Sequence, residues 1–172
     1  MEWIKRSPRT VTGSGCWHDR AVGILCDYFS APTDEAAAKV IDVLGGPRVA
    51  SDPGFDVVEL KGIQPFVQFG KLEELLTGID YKAVTENPRW VHDVAVRDDG
   101  ELLVVSLTDE VQAALAGASE SQLREVAVPW SQIEEFWGHA EPSDLAEVLI
   151  ELAGLARRAT KRNERMYCWV CL

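Results

Sequence analysis

Residues 143–172 constrain the fold more than any other stretch. From Ser143 to about Asn163, Leu145, Val148, Leu149, Leu152, Leu155 and Ala156 recur at helical spacing and make the apolar stripe of one long amphipathic helix. Directly behind it comes MYCWVCL, a run whose Tyr, Cys, Trp and Val favour a strand. A long helix feeding a short terminal strand calls for a sheet with helices packed on it.

The C-x-x-C spacing of Cys168 and Cys171 raises the question of redox or metal chemistry. A redox C-x-x-C opens a helix, where backbone N–H groups stabilise the thiolate. Here the pair comes after a helix and lies in a strand, where Met166, Cys168, Val170 and Leu172 face one way and Tyr167, Trp169 and Cys171 the other. At strand spacing the two Cα atoms are ~10 Å apart, beyond the ~7 Å limit for a disulfide. The expectation is a core strand, with no metal site. A zinc set of Cys16, His18, Cys26 and Cys168 has no standard knuckle spacing, and Cys26 and Cys168 read as small buried apolar groups.

The remaining elements alternate irregularly. Ile24–Phe29 reads as a strand, then Thr33 caps a helix expected over Asp34–Leu44, stopped by Gly45-Gly46-Pro47. Residues 55–62 read as a second strand, and 64–78 as helix ending at Gly78, with Leu72, Leu75 and Leu76 on its apolar face. VHDVAV and ELLVVSL flank Asp98-Asp99-Gly100, a hairpin signal over 91–107. Thr108 caps a helix over Asp109–Leu115, and Glu120–Val126 forms a further helical piece. Ser131 with Glu134 makes a capping-box pattern for a short helix that buries Ile133, Phe136 and Trp137. The order is not a regular β-α-β alternation, so the fold class is α+β: a single domain with a mixed or antiparallel sheet.

At 172 residues, 47% apolar and 26% charged, the chain has ordinary globular composition. No run approaches the ~18–20 apolar residues of a membrane helix, and no signal-peptide core appears, so a cytoplasmic protein with reduced thiols is expected. Residues 1–21, rich in Arg, Gly, Ser and Thr without apolar period, read as a tail, either disordered or the product of an upstream start with Val22–Gly23 as the natural beginning. The domain proper is 22–172. A net charge of −11 argues against nucleic acid and fits docking onto a basic protein. The basic run Arg157, Arg158, Lys161, Arg162 and Arg165 reads as a solvated face favoured by the helix dipole.

Trp130 and Trp137 bracket SQIEEF. They are core indoles or, in the functional reading, an aromatic ledge for a partner with Glu134 and Glu135 at its rim. A second candidate set is Asp27, Tyr28, His92 and His139, a scattered site for a small enzyme or ligand-binding domain. Asp27 is read as lying on a solvent face or capping the turn at Thr33. No hydrolase elbow, phosphate loop or dinucleotide fingerprint is present, and no cofactor is expected.

Four stretches, VGILCDYFSAPTDEAAAKVIDVLGGP, LKGIQPFVQFGKLEELLTG, VAVPWSQIEEFWG and LAGLARRATKRNERMYCWVCL, resemble a group of uncharacterised small actinobacterial proteins and, more distantly, the YfbM-like domain of unknown function. The shared layout is a Gly-hydrophobic-Tyr-Phe start, a Ser/Thr-Asp-Glu helix opening and a long helix feeding a terminal strand. The resemblance covers most of 22–172, departs most over 47–100, and implies a bacterial protein with a start near Val22–Gly23. It carries over no activity and no catalytic residue. The expected function is therefore a non-enzymatic protein-binding or regulatory domain with a basic protein partner, the alternative being the small enzyme or ligand-binding domain.

Overall fold

The computed structural model describes residues 24–51 and 54–172. Five strands form one sheet: β1 (Leu25–Ala31), β2 (Val57–Lys61), β3 (Asp93–Arg97), β4 (Leu102–Ser106) and β5 (Arg165–Cys171), in the order β2-β1-β5-β4-β3. Every neighbouring pair is antiparallel, which resolves the expected "mixed or antiparallel" sheet to the second form. The last strand in sequence is thus the middle strand in space. β5 pairs with β1 from Leu25↔Cys171 to Ala31↔Arg165, and with β4 from Leu102↔Cys171 to Ser106↔Tyr167.

A central strand is covered on both faces, and its alternation divides two cores. Met166, Cys168 and Val170 enter the larger one, while Tyr167, Trp169 and Cys171 enter the smaller. The two thiols of the C-x-x-C therefore lie on opposite faces, both buried and neither in a disulfide, as strand geometry requires. Burial raises the Cys168 thiol pKa well above its ordinary value.

The larger core lies under α2 (Val67–Thr77), α4 (Asp109–Gly117), α5 (Glu120–Trp130) and α6 (Pro142–Lys161). α6 supplies the expected stripe, all of Leu145, Val148, Leu149, Leu152, Leu155 and Ala156 being buried. It begins one residue earlier than expected, at Pro142, where proline's missing N–H costs nothing. α3 (Tyr81–Thr85) packs beside α2. The smaller core is covered by α1 (Asp34–Ala38) and by the 3₁₀ turn that extends it. The Thr33 hydroxyl caps α1 by accepting from the Ala36 N–H at 3.1 Å. The helix expected to reach Leu44 instead tightens into that 3₁₀ turn over Lys39–Asp42 and ends at an extended Val43. Val40, Ile41 and Val43 are β-branched, and such residues lose side-chain freedom in a helix.

Three further expectations are corrected. Ser131 does not open a helix: it ends α5, its hydroxyl donating to the Val128 carbonyl at 2.7 Å, and only a 3₁₀ turn over Glu134–Phe136 comes after it. The capping box sits instead at Ser119–Gln122, at the start of α5. Asp27 is not on a solvent face; it is buried on β1, between Glu59 and Trp169 in register. The basic run is not simply solvated either. Arg158 grips Asp56 with two bonds of 2.6 and 2.9 Å, and Arg162 bridges Asp56 and Glu164 at 3.0 Å each. Arg157 donates to the Ala116 and Ala118 carbonyls, satisfying orphan acceptors at the end of α4.

Candidate functional site

The Trp130/Trp137 segment separates into a core indole and a surface one. Trp130 is fully buried; its Nε1–H donates to the Gln68 carbonyl at 2.9 Å and its ring meets Phe136 edge-on, with centroids 5.3 Å apart. Gln68 is itself held, since its Oε1 accepts from the Gln64 N–H at 2.6 Å and its Nε2 donates to the Gly62 carbonyl at 3.2 Å. Trp130 therefore ties α5 to α2 and presents nothing to a partner. Trp137 behaves oppositely. It ends the 3₁₀ turn in the left-handed region at φ 52°, and Gly138 behind it lies at φ 69°. Two successive left-handed residues turn the chain sharply, and the indole is left 84% exposed. Glu134 beside it is exposed and Glu135 half-buried. A continuous helix would have put Trp130 and Trp137 on one face two turns apart; the break at Ser131 separates them.

The second set does not converge. Tyr28 and Asp27 are neighbours on β1 and so face opposite cores. Tyr28 stacks on Phe69 at 4.7 Å and donates its hydroxyl to the Ile63 carbonyl at 3.0 Å; burial pushes its pKa well up. That is a structural phenol with its proton committed. His92 is exposed ahead of β3 and His139 is exposed ahead of α6. Cys16 and His18 of the zinc alternative lie outside the described residues. Among the described residues, no three His, Cys, Asp or Glu side chains gather to hold a metal ion, and no helix is long and apolar enough to cross a membrane.

Sequence reasoning missed a groove of about 390 Å³ on the smaller-core side of the sheet. Ile41, Val43 and Leu44 form one wall, Leu102 and Leu172 the other, and Trp169 lies between. Gly46, at φ +77°, lies flat against that indole: a Cβ there would come within 3.0 Å of the ring. Gly45, Cys171, Asp42, Asp98, Arg97 and Glu101 complete the lining. Arg97 spans to Asp42 as an ion pair and also donates to the Ile41 carbonyl at 3.4 Å, fastening the α1 extension to the β3–β4 turn. Leu44 and Leu172 are 64% and 60% exposed. The sole hint in the sequence was Leu44 before Gly45-Gly46, which reads first as a helix stop.

One other arrangement has unusual electrostatics. Arg89 lies 3.3 Å from Asp34 and 3.6 Å from Asp109, with its guanidinium 5.7 Å from the centre of the Tyr167 ring. Tyr167 donates to Asp34 at 2.7 Å, and that bond, helped by Arg89, holds the Asp34 carboxyl below its ordinary pKa. Arg165 of β5 also lies 3.4 Å from Asp109, so two guanidiniums meet two carboxylates, and the cluster fastens α1 and α4 to β5. Comparisons with protein-family models, with curated proteins and with solved structures gave no match to this chain.

Proposed function

We propose that this chain is a non-enzymatic protein-binding domain that docks a basic partner, with Trp137 as the anchor. The observation that carries the reading is an indole 84% exposed beside two carboxylates, Glu134 and Glu135. An exposed indole face attracts Lys or Arg by about 0.5–1 kcal/mol, rising to about 2 when the contact is desolvated. Carboxylates at the rim, backed by a net charge of −11, speed the encounter and favour cationic partners. The scattered alternative is less well supported, because Asp27 and Tyr28 lie on different faces of the sheet.

The test is affinity capture with the tagged full chain from its own host, and then titration of the recombinant captured protein. A basic partner should bind the native chain, dissociate as salt is raised, and lose about tenfold in affinity with Trp137→Ala, the loss typical of an aromatic anchor. A partner bound equally well by Trp137→Ala and by Glu134→Lys would remove this surface from the reading.

A further inference from the structure

We propose that the groove over Trp169 is a second binding site, which takes a short peptide segment carrying one large apolar side chain flanked by Lys or Arg. It lies across the sheet from Trp137: Phe136 packs against the larger core, whereas Ile41, at the groove, packs against the smaller. It stands on its own residues and does not need the Trp137 reading.

Size and polarity define the occupant. A cavity of about 390 Å³ admits one large side chain with its adjoining backbone. Leu44 and Leu172 stand at its mouth with most of their side chains in water, so an entering apolar group removes surface on both walls. The rim selects charge. Asp42 is engaged by Arg97, but Asp98 and Glu101 have no ion pair among the described residues, and they leave the mouth acidic. An acidic peptide or a phosphate would be repelled there, while a cation beside the anchor is drawn in. Finally, Trp169 is 2% exposed and its Nε1–H has no acceptor. That atom is shielded from solvent, so an occupant meets the indole by packing beside it rather than by bonding to it. A second copy of this chain fits poorly, because it would set acidic rim against an acidic protein.

The experiment uses the full chain and fluorescein-labelled hexapeptides with a central Leu, Phe or Trp, flanked by Lys and Arg in one set and by Asp and Glu in the other. Anisotropy should rise with the cationic set alone. Affinity should fall about tenfold in Leu44→Ser and again in the pair Asp98→Asn with Glu101→Gln. These side chains are exposed, so the variants keep the fold, which circular dichroism checks. In ¹H–¹⁵N spectra the Trp169 indole resonance, assigned with Trp169→Phe, should shift on binding. Trp137→Ala should leave this binding unchanged. Equal binding of both sets, or of neither, overturns the proposal, as does indifference to Leu44→Ser or a still Trp169 indole. Loss in Trp137→Ala alone moves the peptide to the other face and overturns it too. Dimers that Leu44→Ser converts to monomers would overturn it by showing the groove to be a self-association surface.

Discussion

Gly46 is tied to a single indole. Its φ of +77° lies where side-chain-bearing residues are strained, and a Cβ would press on the Trp169 ring at 3.0 Å. Gly46→Ala should cost about 1–3 kcal/mol, strain and overpacking acting together, read as a lowered urea midpoint with unchanged slope. Glu73 shows a different tension. It is buried, and the Thr108 hydroxyl donates to it at 2.5 Å while also accepting from the Val111 N–H at the start of α4. Burial raises the Glu73 carboxyl pKa above its ordinary 4.5. A carboxyl easier to protonate when folded destabilises the fold above its folded pKa, and the penalty fades as pH falls through it. Glu73→Gln keeps an acceptor for Thr108 without the charge. It should raise the neutral-pH melting temperature by a few degrees, corresponding to about 1 kcal/mol, and that gain should shrink on acidification. A gain independent of pH would mean Glu73 is not the group responsible.

The end of α6 packs against the sheet through charge. Asp56 takes two bonds from Arg158 and one from Arg162, and Arg162 also reaches Glu164, to which Ser30 donates at 2.6 Å. The Arg158 contact, foremost, holds the Asp56 pKa below its ordinary 3.8. A depressed carboxyl contributes stability above that ordinary value and loses it as pH falls through the folded one. Both arginines are more than two-fifths exposed, so solvent screens the network, and Asp56→Ala should cost about 1 kcal/mol or less at neutral pH. The difference from the native chain should vanish in strong acid and narrow with salt, both measured by denaturant melts. This network also shows what the sequence conceals. The α6 stripe, the hairpin over Asp98-Asp99-Gly100 and the caps at Thr33 and Thr108 were legible because periodicity and capping are local. Asp56 and Arg158 are over a hundred residues apart, and nothing local announces their pairing. At Ser131 the local capping signal misled, because α5 runs through Pro129 to Trp130 and leaves Ser131 at its C-terminal end. The groove was illegible for the same reason as the Asp56 network, since its walls come from residues 41–45, 97–102 and 169–172.

The whole molecule depends on its last strand. β5 is hydrogen-bonded to β1 and β4, so the sheet cannot close until the two ends of the described chain meet. Such long-range pairing makes loop closure a large entropic cost, and folding should be slow for this size. Stability should be distributed accordingly. β5, β1 and β4 are buried between the two cores, whereas β3 is an edge strand with a register shift between Asp93 and Ala95 and with Asp93, Val96 and Arg97 exposed. In native-state hydrogen exchange, the amides of Met166–Val170 that bond within the ladder should open only with global unfolding and share its denaturant dependence. Those by which β3 pairs with β4 should exchange about tenfold faster or more, through local opening that exposes little surface. Because the groove is bounded by β4, β5 and the β3–β4 turn, this gradient gives it a rigid floor and one yielding rim. Equal protection of β3 and β5 would show instead that the α1 extension, through Arg97 and Asp42, locks the edge into the same cooperative unit, and the groove would then be rigid throughout.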